Sequence, residues 1–310
     1  MTGMSVTVRP HPRTSRYVDG ILNIDKPRGM TSHDVVDHVR RLFGQRKVGH
    51  AGTLDPMATG VLLLCLGQAT RVAEYLMRSR KTYRGTVWLG VTTDTYDAEG
   101  TVTHSTPSFT MSLDEIERAL TSAQGITQQI PPPFSAVRHN GQRLYRLARQ
   151  GIEVQAKPRP IKIEEIRLIA WESPRLSLEV TCSPGTYIRS LAHDLGQELG
   201  VGGHLSALTR LASGRWNIGD SVSLDDLRTA VEADDWQFLL HPVDAALQDF
   251  ERINLSREMV PLVTHGQPVP LDHVPRTNMA RAYTPDGTLL ALLQPSDQPD
   301  CWRPKKVFQV

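Results

Sequence analysis

Cysteine is scarce in this 310-residue chain: Cys65, Cys182 and Cys301 stand far apart and odd in number. They form neither a disulfide framework nor a metal-type pair, which fits a reducing compartment. Long apolar runs are missing as well. Residues 61–66 make one of the longest, far short of the ~20 residues needed to cross a bilayer. The first 17 residues carry Arg9, Arg13 and Arg16 but no apolar stretch, so they read as a flexible basic arm and not as a secretory signal. A cytoplasmic protein is expected. No Walker loop, dinucleotide fingerprint, HExxH pair, Cys/His cluster or internal repeat occurs, which argues against nucleotide hydrolysis, redox chemistry and zinc hydrolysis. An enzyme built from this sequence is expected to need no cofactor and no metal. Net charge is also small, at +2, so any affinity for a polyanion must come from a local patch.

Such a patch exists. Between Pro131 and Pro160 stand Arg138, Arg143, Arg146, Arg149, Lys157 and Arg159 against the single acid Glu153, a net charge of +5, with Phe134, His139 and Tyr145 interleaved. Cations alternating with aromatics suit a phosphate backbone with accessible bases. A solvated helical face would use the same residues.

Periodicity divides the rest. Residues 18–25 and 83–90 read as strands. In the second, Tyr83, Gly85, Val87 and Leu89 share one face and Arg84, Thr86 and Trp88 the other. Thr31 or Ser32 caps a helix with Val35, Val36, Val39, Leu42 and Phe43 inward, closed by Gly44. Helices are expected over 69–80, 187–199 and 224–233. Another follows the capping box Ser112-Leu113-Asp114-Glu115, and strands are expected over 161–170, 175–182 and 202–216. Residues 92–100, with Asp94, Asp97 and Glu99, lack calcium-loop spacing and read as a solvated turn. From about Asp249 short apolar runs alternate with Gly and Pro turns, which predicts a small all-β module.

The densest stretch is Gly49-His50-Ala51-Gly52-Thr53-Leu54-Asp55-Pro56-Met57-Ala58-Thr59-Gly60. Its glycines permit positive φ and close approach to a ligand, Pro56 fixes the outgoing direction, and Asp55 is the only acid between Asp37 and Glu74. A carboxylate in a rigid loop can be held ready for chemistry. By itself, however, an Asp-Pro step is more often an Asx-turn or a helix N-cap.

Four ordered segments change that balance. Ile21-Leu22-Asn23-Ile24-Asp25-Lys26-Pro27-Arg28-Gly29-Met30-Thr31-Ser32, the loop at 49–60, Lys81-Thr82-Tyr83-Arg84 and Gly185-Thr186-Tyr187-Ile188-Arg189-Ser190-Leu191 together resemble the TruB family of bacterial tRNA pseudouridine synthases. A further long match runs from Ile130-Pro131-Pro132 through Gln150-Gly151-Ile152-Glu153-Val154. The residues after 249 resemble a PUA domain through His265-Gly266, Ala280-Arg281-Ala282-Tyr283 and the Arg303-Pro304-Lys305-Lys306-Val307-Phe308 ending.

That resemblance implies an α/β fold of the α+β type: a mixed, largely antiparallel extended sheet flanked by helices. It implies a catalytic domain over 18–248, an RNA-clamping insertion at 131–160, and a small β-barrel-like, PUA-like RNA-binding domain over 249–310. It also implies isomerisation of uridine 55 in the T-loop of tRNA by a monomer with no protein partner and no membrane. Asp55 would be the nucleophile, Tyr83 the ring stacked on a flipped uracil, and Arg189 the partner of Asp55. Substrate contacts would come from Leu208 as an apolar wall, His50 filling the gap in the T-loop, and Tyr187, Arg138 and Lys26. Where the family commonly has Ser-Ala-x-Lys, this chain has Ser135-Ala136-Val137-Arg138. The charge is retained, so phosphate contact is expected to persist, although a guanidinium does not replace a compact ammonium in every role.

Breaking N1–C1′, turning the uracil and rejoining it through C5 needs neither redox equivalents nor external energy. A carboxylate serves by adding to C6 or by assisting departure at C1′, and both routes stay open. Arg189 is expected to hold the Asp55 pKa down. Tyr83 is the candidate for removing the C5 proton, although a phenol with pKa near 10 needs help or a water. Two other classes compete: a non-catalytic RNA-binding or tRNA-folding chaperone using the same basic cleft, and a glycosidase-like hydrolase, which usually wants a second carboxylate.

Overall fold

The computed structural model describes residues 17–308 apart from 153, 155 and 272, so most of the basic arm lies outside the described residues. The spine is a mixed sheet running, from one edge, Ile163–Glu172, Arg175–Cys182, Lys81–Leu89, Gly203–Ser213, Thr59–Leu66, Gly20–Lys26 and Leu240–His241. Every neighbouring pair is antiparallel except Gly203–Ser213 with Thr59–Leu66. This is the largely antiparallel α+β arrangement that the sequence suggests.

The unbroken apolar run of Thr59–Leu66 has a simple cause: both of its faces are covered. Leu62, Leu64 and Leu66 enter the main core with Val35, Val36, Val39 and Phe43 of the Ser32–Phe43 helix. Val61, Leu63 and Cys65 point the other way, into a second core shared with Met279, Leu292 and Phe308 from the C-terminal region. That region forms a five-stranded half-barrel sheet, ordered Glu251–Asn254, Ala280–Tyr283, Leu289–Pro295, Cys301–Val307, Val269–Pro270. Lys306 Nζ lies 2.7 Å from Glu74 Oε1 and donates at 2.5 Å to Arg71 O, and Arg71 donates back to Val307 O. The last strand is thus lashed to the Ala73–Met77 helix.

Three sequence expectations change. The helix expected over 69–80 is a 3₁₀ turn, Gly67–Arg71, followed by the short Ala73–Met77 helix. It stops early because the Lys81 ammonium caps its end, donating to Met77 O at 2.7 Å and Ser79 O at 2.5 Å. The strand expected over 202–216 turns back at Gly214-Arg215, with Gly214 at φ 61°, and Trp216–Asn217 pairs with Ser213 and Ala212. Residues 92–100 are not a solvated turn. They join the antiparallel pair Val91–Thr93 and Val102–Ser105, and Asp97 is buried.

Candidate active site

The 49–60 loop is bolted down from three sides. Ser32 Oγ accepts from Leu54 N at 2.8 Å and donates to Leu54 O at 3.1 Å. Ala51 N donates to Leu63 O, and Gly29 N donates to Pro56 O, both at 2.8 Å. At the exit Gly60 has φ 95°, and a Cβ there would stand 2.3 Å from Arg210 O, so only glycine fits. These restraints leave Asp55 facing a cavity of about 450 Å³.

Asp55, Tyr83, Tyr187, Arg189 and Leu208 all line that cavity, with Phe134, Ser135 and Ala136 from the start of the basic insertion. Five of the eight residues proposed from sequence therefore meet in one place. Arg189 sits in the first turn of the Ile188–Glu198 helix, whose N-cap is Tyr187. Its Nε lies 3.0 Å from Asp55 Oδ2 and its Nη2 donates to Asp55 Oδ1 at 3.3 Å, a two-point grip on the carboxylate. The Nε contact is an ion pair, not an aligned hydrogen bond. The same guanidinium donates to Asp97 Oδ2 at 3.1 Å, Phe134 O at 3.0 Å and Thr95 O at 3.3 Å. Asp97 is fixed in turn by Thr95 Oγ1 at 2.6 Å and Glu99 N at 3.0 Å. Arg189 thus ties together the 49–60 loop, the 92–100 segment and the insertion.

Electrostatics departs from the sequence expectation. Removal from water raises the Asp55 carboxyl above its ordinary value of 3.8, Arg189 pulls it back, and the nearby Asp97 charge pushes it up again. The guanidinium does not win that balance. Water still reaches the carboxylate, whose side chain keeps 34% of its exposure, while Asp97 keeps 5%. Tyr83 moves in the same direction: burial raises its phenol, and Arg210 only partly opposes this.

Arg210 is a site residue that the sequence reading missed. It lies directly opposite Tyr83 in the strand pairing and two residues beyond Leu208 on the same face. Only 1% exposed, it donates to Val61 O at 2.6 Å and Gly52 O at 3.1 Å, and its charge acts on the Tyr83 phenol. Period-two alternation counted from Leu208 would have found it. Asp97 offered no such signal, because its partner lies 92 residues away.

Three proposed residues fall outside the cavity lining. Lys26 cannot touch a substrate directly, since it is fully buried, donating to Pro27 O, Met30 O and Pro56 O, with its pKa lowered to about 8 by burial. It is a brace behind the Asp55 loop. His50 ends the Val48–His50 strand, half-buried, and burial and Arg210 lower its imidazole pKa, which favours the neutral ring. Arg138 is exposed on a hairpin, Arg138–His139 against Gln142–Arg143, turned by Asn140 and Gly141 at φ 48° and 84°. Among the described residues no group of His, Cys, Asp and Glu is arranged to hold a metal ion.

The chain as a whole resembles known proteins in sequence and fold. Residues 40–188 match the family model described as "TruB family pseudouridylate synthase (N terminal domain)", and residues 189–248 match "tRNA pseudouridylate synthase B C-terminal domain". The "tRNA pseudouridine synthase B" of Dehalococcoides mccartyi is 43% identical over 291 residues, which cover 94% of this chain and 97% of that one. The protein of the same name from Dechloromonas aromatica is 44% identical over 298 residues, 96% and 98% of the two chains. Among solved structures, a Cbf5-Nop10-Gar1 complex contains a chain superposing with a TM-score of 0.73 at 26% identity, over 94% of this chain and 85% of that chain. An H/ACA RNP bound to a substrate RNA containing 2'-deoxyuridine gives 0.71 at 25% identity, with the same coverages. On these matches in sequence and fold, this chain belongs to the TruB family of pseudouridylate synthases.

Proposed function

We propose that this protein isomerises uridine 55 in the T-loop of tRNA to pseudouridine, with Asp55 as the nucleophile. One observation carries the reading: a loop carboxylate gripped at two points by Arg189 faces Tyr83 across a cavity of nucleoside size. The name shared by the curated relatives supports tRNA as the substrate.

The ionised Asp55 attacks C6 or assists glycosidic departure at C1′, and Arg189 fixes its oxygens for either route. Positioning of this kind supplies a large share of such rate gains. The target base must leave its stack, at a cost of a few kcal/mol; Tyr83 stacks on it, Leu208 walls it, and His50 fills the gap left in the loop. Because burial raises the Tyr83 phenol, that hydroxyl is poorly matched to accept the C5 proton. Its ring is the contribution we assign to it.

Asp97 does not convert the site into a glycosidase. Its two oxygens are engaged by Arg189, Thr95 and Glu99 and it keeps 5% exposure, so it cannot activate the second water-side position that two-carboxylate hydrolysis requires. RNA selection comes from loop shape and backbone contacts, supplied by the 131–160 clamp, where Arg138 meets phosphate, and by residues 249–310 as a PUA-like module. We place the protein in the cytoplasm as a monomer.

Tritium release from 5-tritiated uridine in a T-arm RNA tests the reading. Asp55→Asn abolishes release while RNA affinity stays within about twofold, since binding alone does not use a carboxylate. Full release by that variant overturns the nucleophile assignment, and base loss seen as a mass change in the RNA overturns isomerisation.

A further inference from the structure

Tyr96 occupies an expensive backbone position. Its φ is 63°, the left-handed region where a bulky residue is a genuine outlier and glycine or asparagine is the cheaper choice. A ring kept at such a position has something to offset the strain. It stacks on His193 with centroids 3.8 Å apart and planes 11° from parallel. His193 lies on the Ile188–Glu198 helix one turn after Arg189, and among the described residues its buried Nδ1 has no hydrogen-bond partner. Stacking, not hydrogen bonding, therefore holds the two rings together.

The neighbour of Tyr96 is Asp97, which restrains Arg189 Nη1. The segment and the helix thus meet at two contacts one helical turn apart, Asp97 with Arg189 and Tyr96 with His193. The backbone around Tyr96 registers the same segment on the Gly203–Ser213 strand, through Leu205 N to Tyr96 O and Ala98 N to Leu205 O, each 3.0 Å. Strand pairing fixes the segment's height. The stacked rings fix its slide along the helix, and so the point where Asp97 meets the guanidinium.

We propose that the Tyr96–His193 stack is a positioning device for the isomerisation reaction: it sets Asp97, which sets Arg189, which aims Asp55. The inference rests on the catalytic reading of Asp55. Neither ring lines the cavity, so neither is a catalytic residue.

Glycine at position 96 removes the ring and relieves the strain together, so Tyr96→Gly still folds, with Tm lowered only modestly by the lost stack and the freer unfolded chain. Its kcat for tritium release falls roughly tenfold while KM stays within about twofold, as expected when a catalytic group is slightly misplaced. Tyr96→Phe and His193→Phe keep a stack and retain near-normal kcat; His193→Ala behaves like Tyr96→Gly. A readout independent of turnover is the ¹⁵N signal of the Arg189 Nε–H in the RNA-free protein, which shifts or broadens in Tyr96→Gly and not in Tyr96→Phe. Wild-type kcat together with an unmoved Arg189 signal in Tyr96→Gly overturns the positioning role. Absence of release by the wild type defeats the functional reading instead, and the Arg189 signal then still decides whether the stack positions that guanidinium.

Discussion

Two buried arginines face the same cavity and use their donors differently. Arg189 holds two carboxylates, Asp55 and Asp97, plus two backbone carbonyls. Arg210 holds only neutral oxygens, Val61 O and Gly52 O, beside the Tyr83 phenol. Around Arg210 stand Lys81 and His50, whose pKa values its charge depresses, Lys81 to about 8 with burial as the larger cause. One wall sets a single guanidinium against two carboxylates and is sensitive to protonation. The other carries surplus positive charge and gives rigidity without titrating carboxylates. Aim and stiffness are supplied by separate residues of the same type.

Arg189→Lys gives the sharpest break in that contrast. A point charge cannot reproduce the two-point grip, and kcat falls about a hundredfold by single-turnover assay, given what small misplacements cost; near-normal turnover would show that Arg189 does not orient Asp55. Asp97→Asn is milder, with kcat down roughly tenfold on the same grounds. It also moves a pH limb. In the mechanism proposed above Asp55 acts ionised, and its carboxyl lies above 3.8 partly because Asp97 is negative. The wild-type rate therefore falls off in acid at a pH above the ordinary aspartate value. Removing the Asp97 charge shifts that limb to lower pH, and a shift to higher pH would contradict the pairing.

Arg210→Met reads out mainly as stability. Gly52 O and Val61 O lose a buried donor, at ~1–3 kcal/mol for each orphaned group, measured by urea unfolding, while kcat of the folded enzyme stays within about tenfold. A variant of unchanged stability would remove the distinction between the walls. Arg138→Ala, outside the cavity lining, has the smallest effect: KM for tRNA rises about threefold and the salt slope falls by about one.

The sequence made parts of this comparison visible and hid others for physical reasons. The Asp55 loop was legible because glycine and proline density is a local property. The strand and face of Tyr83 were legible from alternation, but its role at the site came only from the family resemblance. Asp97 looked like one of three acids in a polar turn, and only chain packing brings it to Arg189. Lys26 sits among motif residues and so suggested substrate contact, whereas its ammonium is spent on three carbonyls. The pKa of Asp55 was misjudged for a related reason: the charge partner is visible in sequence, but the depth of burial is not.

The strand Cys301–Val307 has a consequence for how the protein is made. Through Lys306 and Val307 it grips Arg71 and Glu74, and the helix they adjoin ends at Met77, on the cavity rim. During synthesis, which adds roughly 5–20 residues per second, the Asp55 loop and the Tyr83 strand leave the ribosome more than two hundred residues ahead of that grip. The pocket rim is therefore fastened only as the Cys301–Val307 strand emerges, and a nascent chain halted before that strand carries every residue of the site without this restraint.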